Sequence, residues 1–242
     1  MKLRKLKSFA AFVLTIVLTM ISLSGCTISK NSGKTSKNDP SENAEYVVTV
    51  FIPENSEVFT SSNAKVIKTI LSKRLKEIGI SDCKIDIDKK AQTITVKFPK
   101  PGTRDDCDSE QISDCLAAKG NLEFYEGVEK TGEPFMTDED VKKASAQFKD
   151  DYNTWVVDLK FTEEGTDAFY EATANAAENG MGISIYLDDE CILSAACNQA
   201  IPDGEAIIYG NFTESQAKCL AAQINSGPLP FTLEVESTTG DD

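Results

Sequence analysis

The sequence predicts an α+β fold built as two subdomains, and three observations carry that reading. Strand-like and helix-like segments first follow one another in the order β-α-β-β-α-β. The pattern then restarts after the Gly- and Glu-containing stretch at residues 127–134. Of the 242 residues, 40% are hydrophobic and 26% charged. That composition suits a sizeable core in one large or two small domains, and excludes a polytopic membrane protein, a collagen or a wholly disordered chain.

The first subdomain is expected over residues 46–133. Residues 46–52 (YVVTVFI) form a β-branched and aromatic run of strand type. Residues 63–78 place Val66, Ile67, Ile70, Leu71, Leu75 and Ile78 on one helical face, and Gly79 is suited to end that helix. Residues 84–88 (KIDID) and 92–98 (QTITVKF) alternate apolar and polar side chains about Lys89 and Lys90, as a hairpin does. Residues 109–118 read as a short helix and 121–125 as a further strand. This order is the ferredoxin-like split motif.

The second subdomain is expected as an inserted α+β head over residues 134–228. Thr137 with Asp140 is set to cap a helix running to about residue 149, and residues 154–161 (TWVVDLKF) form a strand. Thr162 caps a helix through Asn179, and strands follow at 183–187, 191–195 and 205–209. Thr213 and Gln216 make a capping box for a helix to Ile224. Residues 229–236 (LPFTLEVE) close as a strand returning to the base, ahead of a tail to residue 242.

Ahead of these elements, Lys2, Arg4, Lys5 and Lys7 precede an apolar stretch from Phe9 to Leu23, the order of a secretory signal and short for a membrane span. The stretch ends in Leu23-Ser24-Gly25-Cys26, which resembles the lipobox of bacterial lipoproteins. That resemblance implies cleavage of residues 1–25 and acylation of Cys26, each buried methylene contributing ~0.8 kcal/mol of anchoring. The competing reading is an uncleaved signal anchor with an incidental cysteine. Both put the remaining chain outside the cytoplasm, at the extracytoplasmic face of the cell membrane. Residues 26–45, rich in Ser, Asn, Lys and Thr, read as a flexible tether.

Charge and residue counts then narrow the chemistry. A net charge of −14 argues against nucleic acid as a partner. The chain has no histidine, which removes Ser/His/Asp and Cys/His catalysis, most catalytic zinc sites and every histidine pH switch. Six cysteines follow Cys26: Cys83, Cys107, Cys115, Cys191, Cys197 and Cys219. An even count in an exported chain invites disulfides, but no tight spacing singles out a pairing, and Cys107 and Cys115 sit near opposite ends of one predicted helix. Free, mostly buried thiols are expected.

Two acidic clusters, Asp105, Asp106, Asp108 and Glu110, and Asp188, Asp189 and Glu190, lack the spaced ligands and central glycine of a calcium loop. The first reads as charge at a helix N-terminus and the second as a solvated turn. Asp167 and Glu171 read as a solvated helix face rather than a catalytic pair. No metal, no cofactor and no enzymatic activity are expected.

From Phe161 onward the sequence resembles the first extracytoplasmic domain of SecD, the protein-export subunit that works beside the Sec translocon. Phe161-Thr162-Glu163-Glu164-Gly165, Phe169 and Thr173 are similar to the start of that family's head helix. Leu187-Asp188, Ile192, Ser194 and Ala195 resemble its hairpin. Gly204, Ala206, Ile208, Gly210, Phe212, Thr213, Ala217, Leu220 and Ala221 follow in the family's order, and residues 226–230 (SGPLP) resemble its closing turn. Less closely, residues 66–79, Phe98-Pro99 and Leu122-Glu123-Phe124 resemble the family's opening series. Ala196-Cys197 replaces a family proline, which puts the hairpin tip in question.

The resemblance implies a head that touches unfolded polypeptide leaving the Sec translocon, through an apolar groove or a strand edge tolerant of sequence. Candidate contacts are Ile183, Ile185, Leu187, Ile192, Leu193 and Phe212. SecD continues into transmembrane helices that couple export to the proton gradient, and no such coupling is expected of this chain. The expected function is thus a lipid-anchored binding module for exported polypeptide or the translocon. The alternative is an envelope structural or interaction lipoprotein that keeps the fold without an export role.

Overall fold

The computed structural model describes residues 46–54, 59–102 and 107–240. Cys26, the leader and the tether lie outside the described residues, as do Asp105 and Asp106. Within them the chain is a mixed helix and strand fold with two apolar cores, one for the base and one for the head.

In the base, β1 (Tyr46–Pro53) leads to α1 (Ser61–Glu77), then to the hairpin of β2 (Lys84–Asp88) and β3 (Thr93–Pro99), then to α2 (Ser109–Ala117). The Thr60 hydroxyl accepts the Asn63 amide hydrogen at 3.2 Å and starts α1. Asp108 and Gln111 form a reciprocal capping box that starts α2. The last strand, β11 (Leu233–Thr239), completes an antiparallel sheet of order β11-β1-β3-β2. Val47, Phe51, Ile94, Val96 and Phe98 from the sheet meet Ile67, Leu71 and Leu75 from α1 beneath it. Val66, predicted for the same helical face, is 44% exposed.

The head has two sheets and two helices. One sheet has the order β5-β4-β8-β9, from β4 (Leu122–Glu126), β5 (Met136–Thr137), β8 (Gly182–Leu187) and β9 (Glu190–Ala196). The other has the order β10-β7-β6, from β6 (Val141–Lys149), β7 (Thr154–Phe161) and β10 (Glu205–Phe212). Helices α3 (Glu163–Asn179) and α4 (Glu214–Ser226) close the core. Phe124, Phe161 and Phe169 meet at its centre, with Phe161 and Phe169 ring centroids 4.8 Å apart.

Besides Val66, the structure departs from the sequence reading in four places. The strand at β4, assigned above to the base, pairs with β8 over Leu122–Glu126 and so belongs to the head. β11 takes its place as the fourth strand of the ferredoxin-like sheet, so the head begins near residue 121 rather than 134. Gly120, at φ +83, turns the chain away after α2, and a Cβ there would meet Arg74 Nη2 at 2.6 Å.

Residues 141–149 form a strand instead of a helix. The Thr137 amide donates to Asp140 Oδ2 at 2.9 Å, but the turn it starts lasts only three residues. Ala144, Ala146 and Phe148 alternate onto one face, and β7 pairs with β6 along its length. Tertiary pairing overrides the local helix signal here. The outer edge of β6 is satisfied by Asn225 of α4, whose Oδ1 accepts the Ala144 amide at 2.8 Å and whose Nδ2 donates to the Ala144 carbonyl at 2.9 Å.

The cysteines are not all free thiols, because Cys115 of α2 and Cys219 of α4 form a disulfide with Cα atoms 5.8 Å apart. The base and head helices pack face to face there, which no spacing in sequence reveals. Finally, residues 229–232 precede the strand. Leu229 and Phe231 instead bury themselves in the base core, and the Leu229 amide donates to the Lys119 carbonyl at 2.7 Å.

Candidate functional site

The β6–β7 hairpin closes through Asp150, Asp151, Tyr152 and Asn153. The Tyr152 amide donates to the Lys149 carbonyl and the Asn153 amide to the Asp150 carbonyl, each at 3.1 Å. Asn153 adopts φ +50, a conformation that asparagine tolerates better than most side chains. This tight turn puts Phe148 directly across from Trp155, and the register of β10 puts Phe212 on the other side of Trp155.

Cross-strand partners project to the same face of a sheet, so Phe148, Trp155 and Phe212 make one aromatic row. The Phe148 and Trp155 rings meet edge to face, with centroids 6.0 Å apart. β10 is irregular between Tyr209 and Phe212, and the Thr154 hydroxyl bridges that irregularity by donating to the Gly210 carbonyl at 3.2 Å. Gly210 leaves room for the Phe212 ring, since a Cβ there would come within 3.2 Å of it.

On the opposite face Tyr209 lies across from Val156, and its ring stacks on Tyr152 at 6.3 Å with an interplanar angle of 7°. Five aromatic side chains therefore wrap the end of one three-stranded sheet. Trp155 and Phe212 are half-buried against the head core, whereas Phe148, Tyr152 and Tyr209 are 48%, 55% and 50% exposed. An exposed aromatic cluster offers apolar ring area with polar tips, which makes this sheet end a candidate contact surface. The cluster sits beside the N-terminus of α4, where Thr213 and Gln216 form the predicted capping box.

The opposite end of α4 joins the base. Arg74 of α1 is fully buried, and its guanidinium donates to the carbonyls of Cys115 (3.2 Å), Leu116 (3.0 Å), Ala118 and Lys119 (3.0 Å) and to Ser226 Oγ (3.0 Å). Burial lowers its pKa to about 10, opposed by the charge of Asp188. Beside this junction lies a polar cleft of about 510 Å³, lined in part by Asp114, Lys119, Lys130, Asp188 and Asp189. Lys130 pairs with Glu123 at 2.6 Å and Asp189 at 3.3 Å.

The six residues predicted to contact polypeptide fall in different places. Ile183 and Ile185 of β8 are fully buried in the head core, and Leu187, Ile192 and Leu193 are half-buried against it. They hold the β8–β9 sheet onto α3 and offer little surface. Phe212 belongs to the aromatic row, and the sequence reading missed its companions Phe148, Tyr152, Trp155 and Tyr209. A partial signal for three of them lay in the turn-forming run Asp150-Asp151-Tyr152-Asn153 directly ahead of the strand-like residues 154–161.

Thr173, matched to the family by its position, has a structural part. Its hydroxyl donates to the Phe169 carbonyl at 2.7 Å and accepts the Ile201 amide at 3.0 Å. Asp188 and Asp189 form the two-residue β8–β9 turn, with Asp188 Oδ1 accepting the Asn121 amide at 2.8 Å. Asp167 and Glu171 are exposed on α3. Among the described residues no group of three or more Cys, Asp or Glu side chains is arranged to hold a metal ion, and no helix is long and apolar enough to cross a membrane.

Comparison with known proteins gives one consistent relationship. Residues 123–231 match the family model of the SecDF P1 head subdomain, a span that begins in β4 as the head does here. The protein translocase subunit SecD of Acidaminococcus fermentans is 31% identical over 166 residues, covering 69% of this chain and 37% of that protein. SecD of a Synechocystis strain is 40% identical over 86 residues, 34% of this chain and 18% of that protein. The chain thus spans well under half the length of these relatives. A SecDF structure, described as a membrane component that enhances protein export, superimposes at TM-score 0.60 with 24% identity, covering 78% of this chain and 98% of that one. Another, SecDF in a super-membrane-facing form, gives TM-score 0.66 at 22% identity over 80% of this chain and 30% of that one.

Proposed function

From the premise that residues 123–231 are a head subdomain of the SecDF P1 family, on a base like that of the SecD first extracytoplasmic domain, we propose that this chain is a polypeptide-binding module of protein export. It works at the extracytoplasmic face of the membrane, held there by lipid on Cys26, and meets polypeptides at or after the Sec translocon. It binds and releases them without enzymatic chemistry. Residues 46–240 take no part in proton movement of their own.

The observation that supports this reading is the aromatic end of the β10-β7-β6 sheet. Exported chains share no sequence, so a module that meets them all has to use contacts every chain can make: apolar side chains and backbone. Flat aromatic surface offers both area and a polar tip at low ordering cost. Binding has to be weak, about −8 kcal/mol or a micromolar Kd at best, because the bound chain must leave again.

The test is titration of the purified protein with a reduced, alkylated polypeptide that cannot fold, alongside a Tyr152→Ser, Tyr209→Ser variant. Both tyrosines are about half exposed, so the variant keeps its fold. Micromolar binding by the wild type, weakened at least about fivefold in the variant, is expected if the two exposed rings supply about 1 kcal/mol or more between them. No binding by the wild type at hundreds of micromolar would favour a structural lipoprotein that has kept only the fold.

A further inference from the structure

We propose that the tip of the β6–β7 hairpin selects polypeptide segments in which Lys or Arg is set among apolar residues. This inference rests on the polypeptide-binding reading above and names the class of segment that the site prefers.

The molecule already holds one cation among two tyrosine rings and two carboxylates. In the 122–189 region Lys130 places its ammonium 5.9 Å from the Tyr125 ring centroid and 5.7 Å from that of Tyr186. Two carboxylates, Glu123 and Asp189, pair with the same ammonium. Two tyrosine rings and two carboxylates thus surround one cation, the geometry in which ring quadrupole and ion pairing act together. Lys97 repeats the ring contact in the base, 4.4 Å over Tyr46.

The hairpin tip holds the same kinds of group, two tyrosines and two carboxylates, with its rings stacked in parallel where Tyr125 and Tyr186 meet edge to face. Tyr152 and Tyr209 stack with near-parallel rings, and each stays about half exposed. Asp150 and Asp151 are exposed in the same turn, and neither enters an ion pair among the described residues. Lys149, which opens the turn, is already matched by Asp158 at 2.9 Å. The tip therefore presents aromatic faces beside two uncompensated negative charges, on a chain whose net charge is −14.

That combination selects among occupants. A basic segment gains ring contact and ion pairing at once, whereas an acidic segment or an anionic lipid surface meets like charge. Phe148, Trp155 and Phe212 lie on the opposite face of the same sheet end, so apolar neighbours of the cation reach them where an extended segment passes round that end.

Trp155 is the single tryptophan of the chain, so its emission reports on the tip directly. The purified protein is titrated with three extended peptides of about a dozen residues that share the same apolar positions and carry Lys and Arg, Gln, or Glu at the others. The basic peptide is expected to bind about tenfold more tightly than the acidic one, with the Gln peptide between them. Raising the salt concentration, or replacing Asp150→Asn with Asp151→Asn, is expected to bring the basic peptide to the affinity of the Gln peptide. Equal binding of all three peptides, sensitive to Tyr152→Ser with Tyr209→Ser, would overturn the charge selection and leave the binding reading standing. A preference for the basic peptide that survives both Asp replacements would overturn the role given to this turn. Binding of none of the three would overturn the binding reading itself, and anionic vesicles binding better than the basic peptide would replace it with a membrane surface.

Discussion

Replacing Cys115→Ser together with Cys219→Ser removes the disulfide between base and head while leaving no unpaired thiol of this pair behind. The half-cystines are 104 residues apart in sequence. Closing a loop of that size in the unfolded chain accounts for about 4.7 kcal/mol of stabilisation in the chain-entropy model, and native disulfides measured by deletion contribute roughly 2 to 5. The folded side should change little. The Cys115 carbonyl is independently held by Arg74 at 3.2 Å and by Gln223 Nε2 at 3.2 Å, so α2 and α4 keep their approach without the bond. The expected loss is therefore about 3 to 5 kcal/mol. With a urea slope of about 2 kcal/mol per molar, the unfolding midpoint falls by about 2 M. Far-ultraviolet circular dichroism follows the whole molecule and Trp155 emission follows the head, so a split between the two probes would also show whether the link makes them unfold together. A variant within about 0.5 kcal/mol of the wild type would refute the reasoning, as would six titratable thiols in the unreduced, denatured protein after removal of the leader and lipidation of Cys26.

Arg74→Met should cost about 2 to 4 kcal/mol in the same assay. The Cys115 carbonyl keeps the Gln223 amide, so the change takes the guanidinium from the Leu116, Ala118 and Lys119 carbonyls, at roughly 1 to 3 kcal/mol each with the middle of that range expected, and relieves about 3 kcal/mol of charge burial implied by a pKa lowered to about 10. Because folding lowers that pKa, the burial cost is fully present below pH 10 and fades only above it, so the contrast between wild type and variant should be flat across the neutral range. Asn225→Ala should cost about 1 to 3 kcal/mol by freeing the Ala144 amide and carbonyl, and hydrogen exchange at the Ala144 amide should accelerate accordingly. Cys26→Ala should leave the precursor unprocessed at that position, and a mature product of unchanged mass that stays with the membrane would contradict lipidation there.

Local chemistry made much of the fold legible. The 84–98 hairpin, the cap at Thr162 and the capping box at Thr213 and Gln216 each depend on residues within a few positions of one another, and each stands where the sequence puts it. The failures are all choices between distant partners. Residues 141–149 offer Val141, Ala144 and Phe148 at helical spacing and Ala144, Ala146 and Phe148 at strand spacing, and only the presence of β7 and Asn225 decides between them. Nothing in residues 122–126 says whether they join β1 or β8. The aromatic cluster draws Phe148, Tyr152 and Trp155 from one hairpin and Tyr209 and Phe212 from a strand some 55 residues later, so no local motif shows it. Among the candidate residues on β8 and β9, Ile183 and Ile185 lie in the head core and Leu187, Ile192 and Leu193 pack partly buried against it, a placement that depends on α3 and that no alternation of apolar residues distinguishes from an open strand face.

The most direct measurement places a photo-crosslinking amino acid at Tyr152 or Tyr209 of the protein in its own cells, with Val66, 44% exposed on α1 of the base, as the control position. Illumination during active export should join both head positions to a broad set of polypeptides, and blocking new synthesis should remove those products while Val66 gives none. Crosslinks of equal yield at Val66, or head crosslinks to one constant partner that persist when synthesis stops, would contradict a module that binds passing chains through the aromatic end of its head.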